Sequence, residues 1–160
     1  MKNDEIIKSF YTAFANGDAE TMISYYHKDI IFHDPAFGEL KGDEVRNMWR
    51  MLIERSKGDL KISYSAVDIY DHSGSANWKA EYTFGPTGRK VVNRVSANFK
   101  FEGDKIIRHV DDFDMWKWAQ QALGLKGYLL GWSSFLQKKV QQQTRKLLKS
   151  YIRKQNENQH

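Results

Sequence analysis

From Asp4 to Phe14 the apolar side chains fall at Ile6, Ile7, Phe10, Tyr11 and Phe14, the spacing of a helix with one buried face. Asn16-Gly17-Asp18 stops that helix and offers a capping acid to the next. The pattern resumes from Ala19 to Tyr26 through Met22 and Ile23, which predicts a helical hairpin. Ile30-Ile31-Phe32 is short, β-branched and aromatic, and predicts a strand ending at Asp34-Pro35. Gly38 and Gly42 mark a loop. Asp43 then caps a helix to about Arg55, with Val45, Met48, Trp49, Leu52 and Ile53 on one face.

The period then changes from helical to alternating. Lys61–Tyr70, Ser75–Phe84, Val91–Glu102 and Lys105–Asp114 are strand-like and separated by turn chemistry, including Gly85-Pro86-Thr87-Gly88 and Gly103-Asp104. The second of them places Trp78, Ala80, Tyr82 and Phe84 on one face and Asn77, Lys79 and Glu81 on the other. Short turns between strands predict an antiparallel meander. Helices first and a meander afterwards give an α+β class, with helices covering one face of a curved sheet.

Beyond Trp116 the character changes again. Gly124, Gly127 and Gly131 interrupt an aromatic, leucine-rich stretch up to Trp132. A helix follows from about Ser133 to Lys154, with the stripe Leu136, Val140, Leu147, Leu148, Tyr151 and Ile152. Two destinations are open to it: packing on its own domain or on a second subunit, or weak association with a membrane surface. The expected organisation is a pocket domain over residues 1–118 and a helical extension over 119–160.

Charge sharpens that division. The chain of 160 residues has a formal net charge of +5, of which Ser133–His160 carries +6, leaving −1 for the other 132 residues. The basic character belongs to the tail, so no nucleic-acid partner is expected for the body. There are no cysteines, which excludes disulfides and thiol nucleophiles. The start, MKNDEIIKSF, lacks the apolar run of a signal peptide, and no stretch approaches the roughly 20 apolar residues of a membrane span. A soluble, cytoplasmic protein is the expectation.

Three local segments, in this order, carry a resemblance: Phe10-Tyr11-Thr12-Ala13-Phe14-Ala15-Asn16-Gly17-Asp18, Phe32-His33-Asp34-Pro35-Ala36-Phe37-Gly38, and Ile106-Ile107-Arg108-His109-Val110-Asp111-Asp112-Phe113-Asp114. Together they resemble the nuclear transport factor two-like superfamily, which includes ketosteroid isomerases, SnoaL-like polyketide cyclases and limonene-epoxide hydrolases. The resemblance covers about residues 1–118. It implies a cone-shaped curved sheet wrapped around helices, a cystatin-like roll, with the basic amphipathic helix as an addition. It also implies an apolar-lined pocket and a homodimer burying the outer face of the meander, here decorated by Lys79, Glu81, Arg94, Asn98 and Lys100.

By that resemblance Asp34 falls on the acid that moves a proton in the isomerases. A carboxylate at a strand end beside Phe37 and Trp49 would be partly desolvated, which suits proton abstraction. The other role open to Asp34 is to cap the Pro-containing turn. The isomerases' two hydrogen-bond donors fall on Phe10 and Ala97, neither of which can donate, so steroid isomerisation by the usual oxyanion-hole route is not expected. His109 and Asp111, two apart on a strand, share a face with Ile107 and Phe113. They form either an acid–base pair or a satisfied polar pair without chemistry. Lys79-Ala80-Glu81 echoes the hydrolases' charged pair, but its parity sends both charges to solvent.

Asp34, Asp111 and His109 are thus the catalytic candidates, with Phe10, Phe14, Phe37, Trp49, Trp78, Tyr82, Ala97 and Phe113 as pocket lining. No metal is expected, since His33, His109 and the acids lack fixed ligand spacing. No cofactor is expected either, because there is neither a phosphate-binding glycine loop nor a serine nucleophile elbow. The function expected is acid–base chemistry of isomerase, cyclase or hydrolase type on an apolar polycyclic or terpenoid-like molecule. A non-catalytic carrier of a hydrophobic ligand and a dimerising interaction module are the alternatives.

Overall fold

Helix α1 (Asn3–Ala15) buries Ile6, Ile7, Phe10, Tyr11, Ala13 and Phe14 along one stripe, as its spacing predicts. Gly17 (φ +69°) turns the chain, and the Asp18 carboxylate accepts the Thr21 N–H at 3.1 Å to cap α2 (Ala19–Ser24). The computed structural model describes residues 1–130 and 133–159, except the Leu130 side chain. Gly131 and Trp132, which fall in the predicted aromatic stretch, and the terminal His160 lie outside the described residues.

The sheet contains β1 (Tyr26–Asp34), β2 (Gly38–Lys41), β3 (Leu60–Tyr70), β4 (Ser73–Phe84), β5 (Arg89–Glu102) and β6 (Lys105–Asp112), in the spatial order β2-β1-β6-β5-β4-β3. Strands β3 to β6 form the predicted antiparallel meander. Strand β1 joins it parallel to β6, with Phe32 opposite His109. Helix α3 (Asp43–Ser56) links β2 to β3 and presents Val45, Met48, Trp49 and Met51 to the core.

Two elements differ from the sequence expectation. Strand β1 starts at Tyr26, four residues earlier than Ile30, because a register shift lets Tyr26 pair with Ile106 before the regular pairing at Ile31. The segment from Gly38 is a short edge strand rather than a loop, pairing Leu40 with Phe32. A second irregularity lies between β5 and β6 at Lys100–Phe101. It makes Ile106, and not Ile107, the fully buried member of that pair.

One concave face therefore collects Ala97, Phe99 and Phe101 of β5 against α1 and α3. The approach of α1 to the sheet is close. A Cβ on Gly74 would lie 2.9 Å from methyl groups of both Ile7 and Ile69, so any larger residue there must displace both side chains.

After β6, Asp114 accepts the backbone N–H groups of Trp116 and Lys117 and caps α4 (Met115–Leu123). A short α5 (Leu125–Leu130) precedes α6 (Ser134–Asn158), which is capped by Ser133. Helix α6 returns to the body. Leu148 joins the core, with Tyr151 and Ile152 packed against it, while Leu147 of the predicted stripe points outward. Among the described residues no helix is long and apolar enough to cross a membrane.

Candidate functional site

The parallel pairing of β1 with β6 builds the site. Phe32 lies opposite His109 and His33 opposite Val110, so the next step of that register brings Asp34 abreast of Asp111. Alternation turns Phe32 and Asp34 inward on β1, and His109 and Asp111 inward on β6. His33, of opposite parity, is exposed. On the far side of Asp111 stands Ala97 of β5, a small side chain that leaves room for the carboxyl group.

His109 is 0% and Asp111 3% exposed. Polar groups so deeply buried require partners, and these are supplied by residues far apart in sequence. His109 Nε2 lies 2.9 Å from Asp111 Oδ1, which also accepts the Trp78 indole N–H at 3.2 Å. On the other ring nitrogen, His109 Nδ1 lies 2.8 Å from the Tyr26 hydroxyl, which accepts the Trp49 indole N–H at 2.8 Å. One set of donors satisfies every step: Trp49 donates to Tyr26, Tyr26 to Nδ1, and Nε2–H to Asp111. Phe99 and Phe32 enclose the His109 ring at centroid distances of 4.5 and 5.1 Å, and Trp49 stacks on it at 6.2 Å.

Asp34 sits differently. Its Oδ1 accepts the backbone N–H groups of Ala36 (3.0 Å) and Phe37 (2.7 Å), the turn-capping role foreseen for it. Among the described residues no bond engages Oδ2, and the side chain keeps part of its surface. Burial pushes its pKa from 3.8 up to about 7, opposed by the Phe37 N–H bond and reinforced by the charge of Asp111. No direct bond joins Asp34 to the His109–Asp111 pair.

Phe10, Phe14, Phe37, Trp49 and Ala97 are buried around these groups, and Trp78 is partly buried. Trp49 and Trp78 are hydrogen-bond donors as well as lining. Two lining candidates lie elsewhere. Tyr82 accepts the Trp118 N–H at 2.8 Å, near the far end of β4, and Phe113 falls beyond the end of β6. Lys79 and Glu81 pair with each other at 3.6 Å on the opposite face, as their parity predicts. The concave side is filled with rings: Phe10 meets Trp49, Tyr26 and Phe99, and Phe14 meets Trp49 and Trp78. Two surface hollows, of about 240 and 350 Å3, touch none of Asp34, His109 and Asp111.

Two hydroxyls escaped the sequence reading. The helical spacing through Met22 and Ile23 predicts Tyr26 at a helix end, whereas the structure buries it at the start of β1. Tyr11, beside the non-donating Phe10, has a buried hydroxyl without a partner among the described residues. Burial, then the charges of Asp111 and Tyr26, hold its pKa well above the usual phenol value.

Several solved structures share the architecture. Bal32a, from a soil-derived mobile gene cassette, is 21% identical with a TM-score of 0.66, over 74% of this chain and 95% of its own. An LEH-like epoxide hydrolase from M. tuberculosis is 18% identical with a TM-score of 0.58, over 79% and 93%. TerC, co-crystallized with polyporic acid, is 18% identical with a TM-score of 0.60, over 69% and 89%. At such identities the likeness is one of fold. No curated protein sequence matches the chain. Kinship comes from the sequence itself: residues 7–109 match the profile of the SnoaL-like domain, and the chain belongs to that family.

Proposed function

We propose that the protein acts on an apolar small molecule by proton transfer at Asp34, with His109 and Asp111 acting from behind it. The observation that carries this reading is the contrast between two carboxyl groups one strand apart. Asp111 is 3% exposed, and its Oδ1 takes the bonds from the side chains of His109 and Trp78. Asp34 has one oxygen fixed by two backbone N–H groups, the other unengaged, and a pKa of about 7. A group poised near neutrality can both take and give a proton. Phe37 and Trp49 supply apolar surroundings. The substrate class is also supported by the fold's company, which includes an epoxide hydrolase and a protein crystallised with polyporic acid.

The burial of His109 and Asp111 favours a second reading, a carrier that binds a hydrophobic molecule without turning it over. The rings of the concave face present apolar surface, and these two interior groups are out of reach of bulk solvent.

The test is the titration of Asp34, followed by carboxyl 13C shifts in the intact chain, with Asp34→Asn identifying the resonance. A midpoint near 7 is expected, and one near 4 would remove the basis for proton transfer. The same shift has a stability consequence. The folded pKa lies above the unfolded value, so the folded state holds the extra proton between pH 4 and 7. That contribution is complete below about pH 4 and lost as pH rises through 7. Asp34→Asn should therefore melt with the parent at pH 4 and above it at pH 8, by about 2–4 kcal/mol. Asn keeps the oxygen that caps the turn. Against apolar aromatic ketones and epoxides, turnover lost in Asp34→Asn supports catalysis, and binding without turnover in both proteins supports the carrier.

A further inference from the structure

Charge and apolar exposure coincide in one part of the molecule outside the SnoaL-like match. Between Met115 and Asn156 there are nine lysines and arginines and not one acid, so the rest of the chain carries a net −4. The same segment exposes large apolar side chains. Leu125 is 75%, Tyr128 58% and Phe135 70% exposed. Leu125 and Tyr128 are three apart on α5 and lie on one side of it. Trp116 of α4, 39% exposed, is held beside them, its N–H donating to the Tyr128 carbonyl at 3.2 Å and its ring 6.1 Å from the Tyr128 ring. Exposed Lys117 and Lys126 adjoin Trp116 and Leu125 in sequence, and Lys138 and Lys139 follow Phe135 by one turn.

We propose that α4 and α5 form a docking surface for an anionic lipid bilayer. Amphipathic aromatic residues and leucines insert at the headgroup level, while flanking lysines meet the acidic lipids. Charge decides against a symmetric pairing with a second copy, since two such segments face to face would repel. It leaves nucleic acid open, but Leu125 offers hydrocarbon where a phosphate backbone needs donors. The second half of α6 takes no part, because its apolar face is spent on the body through Leu148, Tyr151 and Ile152.

The test uses the full chain with vesicles of phosphatidylcholine, with and without phosphatidylserine, read by co-sedimentation. Binding to the phosphatidylserine vesicles alone is expected, weakened by added salt. Leu125→Ser with Tyr128→Ser, both exposed positions, should reduce it about tenfold, as should Lys117→Glu with Lys126→Glu. Circular dichroism checks that each variant keeps the parent's melting. No partition at low salt overturns the proposal. So does binding that survives Leu125→Ser with Tyr128→Ser, which would be charge alone. Equal loss of affinity for a duplex oligonucleotide in these variants would assign the surface to nucleic acid, and loss of a dimer in light scattering would assign it to a second copy.

Discussion

The centre of the sheet and the loop beneath α6 satisfy their polar groups by opposite means. At the centre, bonds run from side chain to side chain across long sequence separations, as from Trp78 to Asp111 and from Trp49 to Tyr26. Each link depends on the identity of both partners. Under α6, side chains reach backbone carbonyls instead: Gln141 donates to Pro35, Thr144 to Ala36, and Arg145 to both Phe37 and Glu39. Those acceptors exist whatever residues occupy the loop. The centre is thus specified by residue type, and the cover by the shape of the chain. A network of the first kind fixes one arrangement, whereas a cover of the second kind can lift without leaving a charge buried.

The comparison breaks most severely if α6 is removed. Deleting Ser133–His160 takes Leu148 out of the core, exposes the surface under Tyr151 and Ile152, and ends the Tyr151–Glu54 bond of 3.0 Å. Full burial of such a side chain is worth roughly 1.5–3 kcal/mol. A fall of about 10 °C or more in melting temperature is expected by calorimetry. An unchanged melting point would mean that α6 contributes no packing and that the cover is incidental.

The helices and the meander were readable because their periods are local. Ile6, Ile7, Phe10, Tyr11 and Phe14 declare a helix face, and Trp78, Ala80, Tyr82 and Phe84 a strand face, without reference to anything distant. The pairing of β1 with β6 was not readable. It joins residues about 77 positions apart, such as Phe32 and His109, and only tertiary context sets that register. The abreast position of Asp34 and Asp111 follows from it, as do the roles of Tyr26 and the two indoles. The inward parity of His109 and Asp111 was legible. What surrounds them was not, because a tryptophan looks the same in sequence whether it lines a cavity or donates to a carboxylate.

A change at the centre gives the next effect in size. Asp111→Ala leaves the Trp78 N–H and the His109 Nε2–H without an acceptor in a nearly dry interior. An unsatisfied buried donor costs about 1–3 kcal/mol, so a loss of about 2–4 kcal/mol is expected in urea unfolding. Asp111→Asn keeps an acceptor oxygen and should lose less. Both variants also remove the charge that helps hold the Asp34 pKa up, so the Asp34 midpoint should move below 7. Equal losses for Ala and Asn would show that the carboxylate charge, which both variants remove, and not the acceptor oxygen governs the centre.

The smallest effect tests the cover alone. Gly38 adopts φ +71°, and a Cβ there would lie 3.0 Å from the Arg145 guanidinium, so that side chain rests directly on the loop backbone. Arg145→Ala removes the bonds to Phe37 O (2.7 Å) and Glu39 O (2.8 Å) but frees two carbonyls at the molecular edge, where water can replace the donors. The expected cost is therefore only about 1 kcal/mol in urea unfolding. Its consequence for Asp34 is larger than its consequence for stability. Burial is the main cause of the raised pKa, and a loosened loop admits water to the carboxyl group, so its midpoint should fall toward 4 in the NMR titration. Arg145→Lys keeps the charge but loses the planar fork that spans two carbonyls, and should fall between parent and Ala. A midpoint near 7 in all three proteins would mean that the aromatic wall alone desolvates Asp34, and that the helix above it covers the loop without tuning the acid.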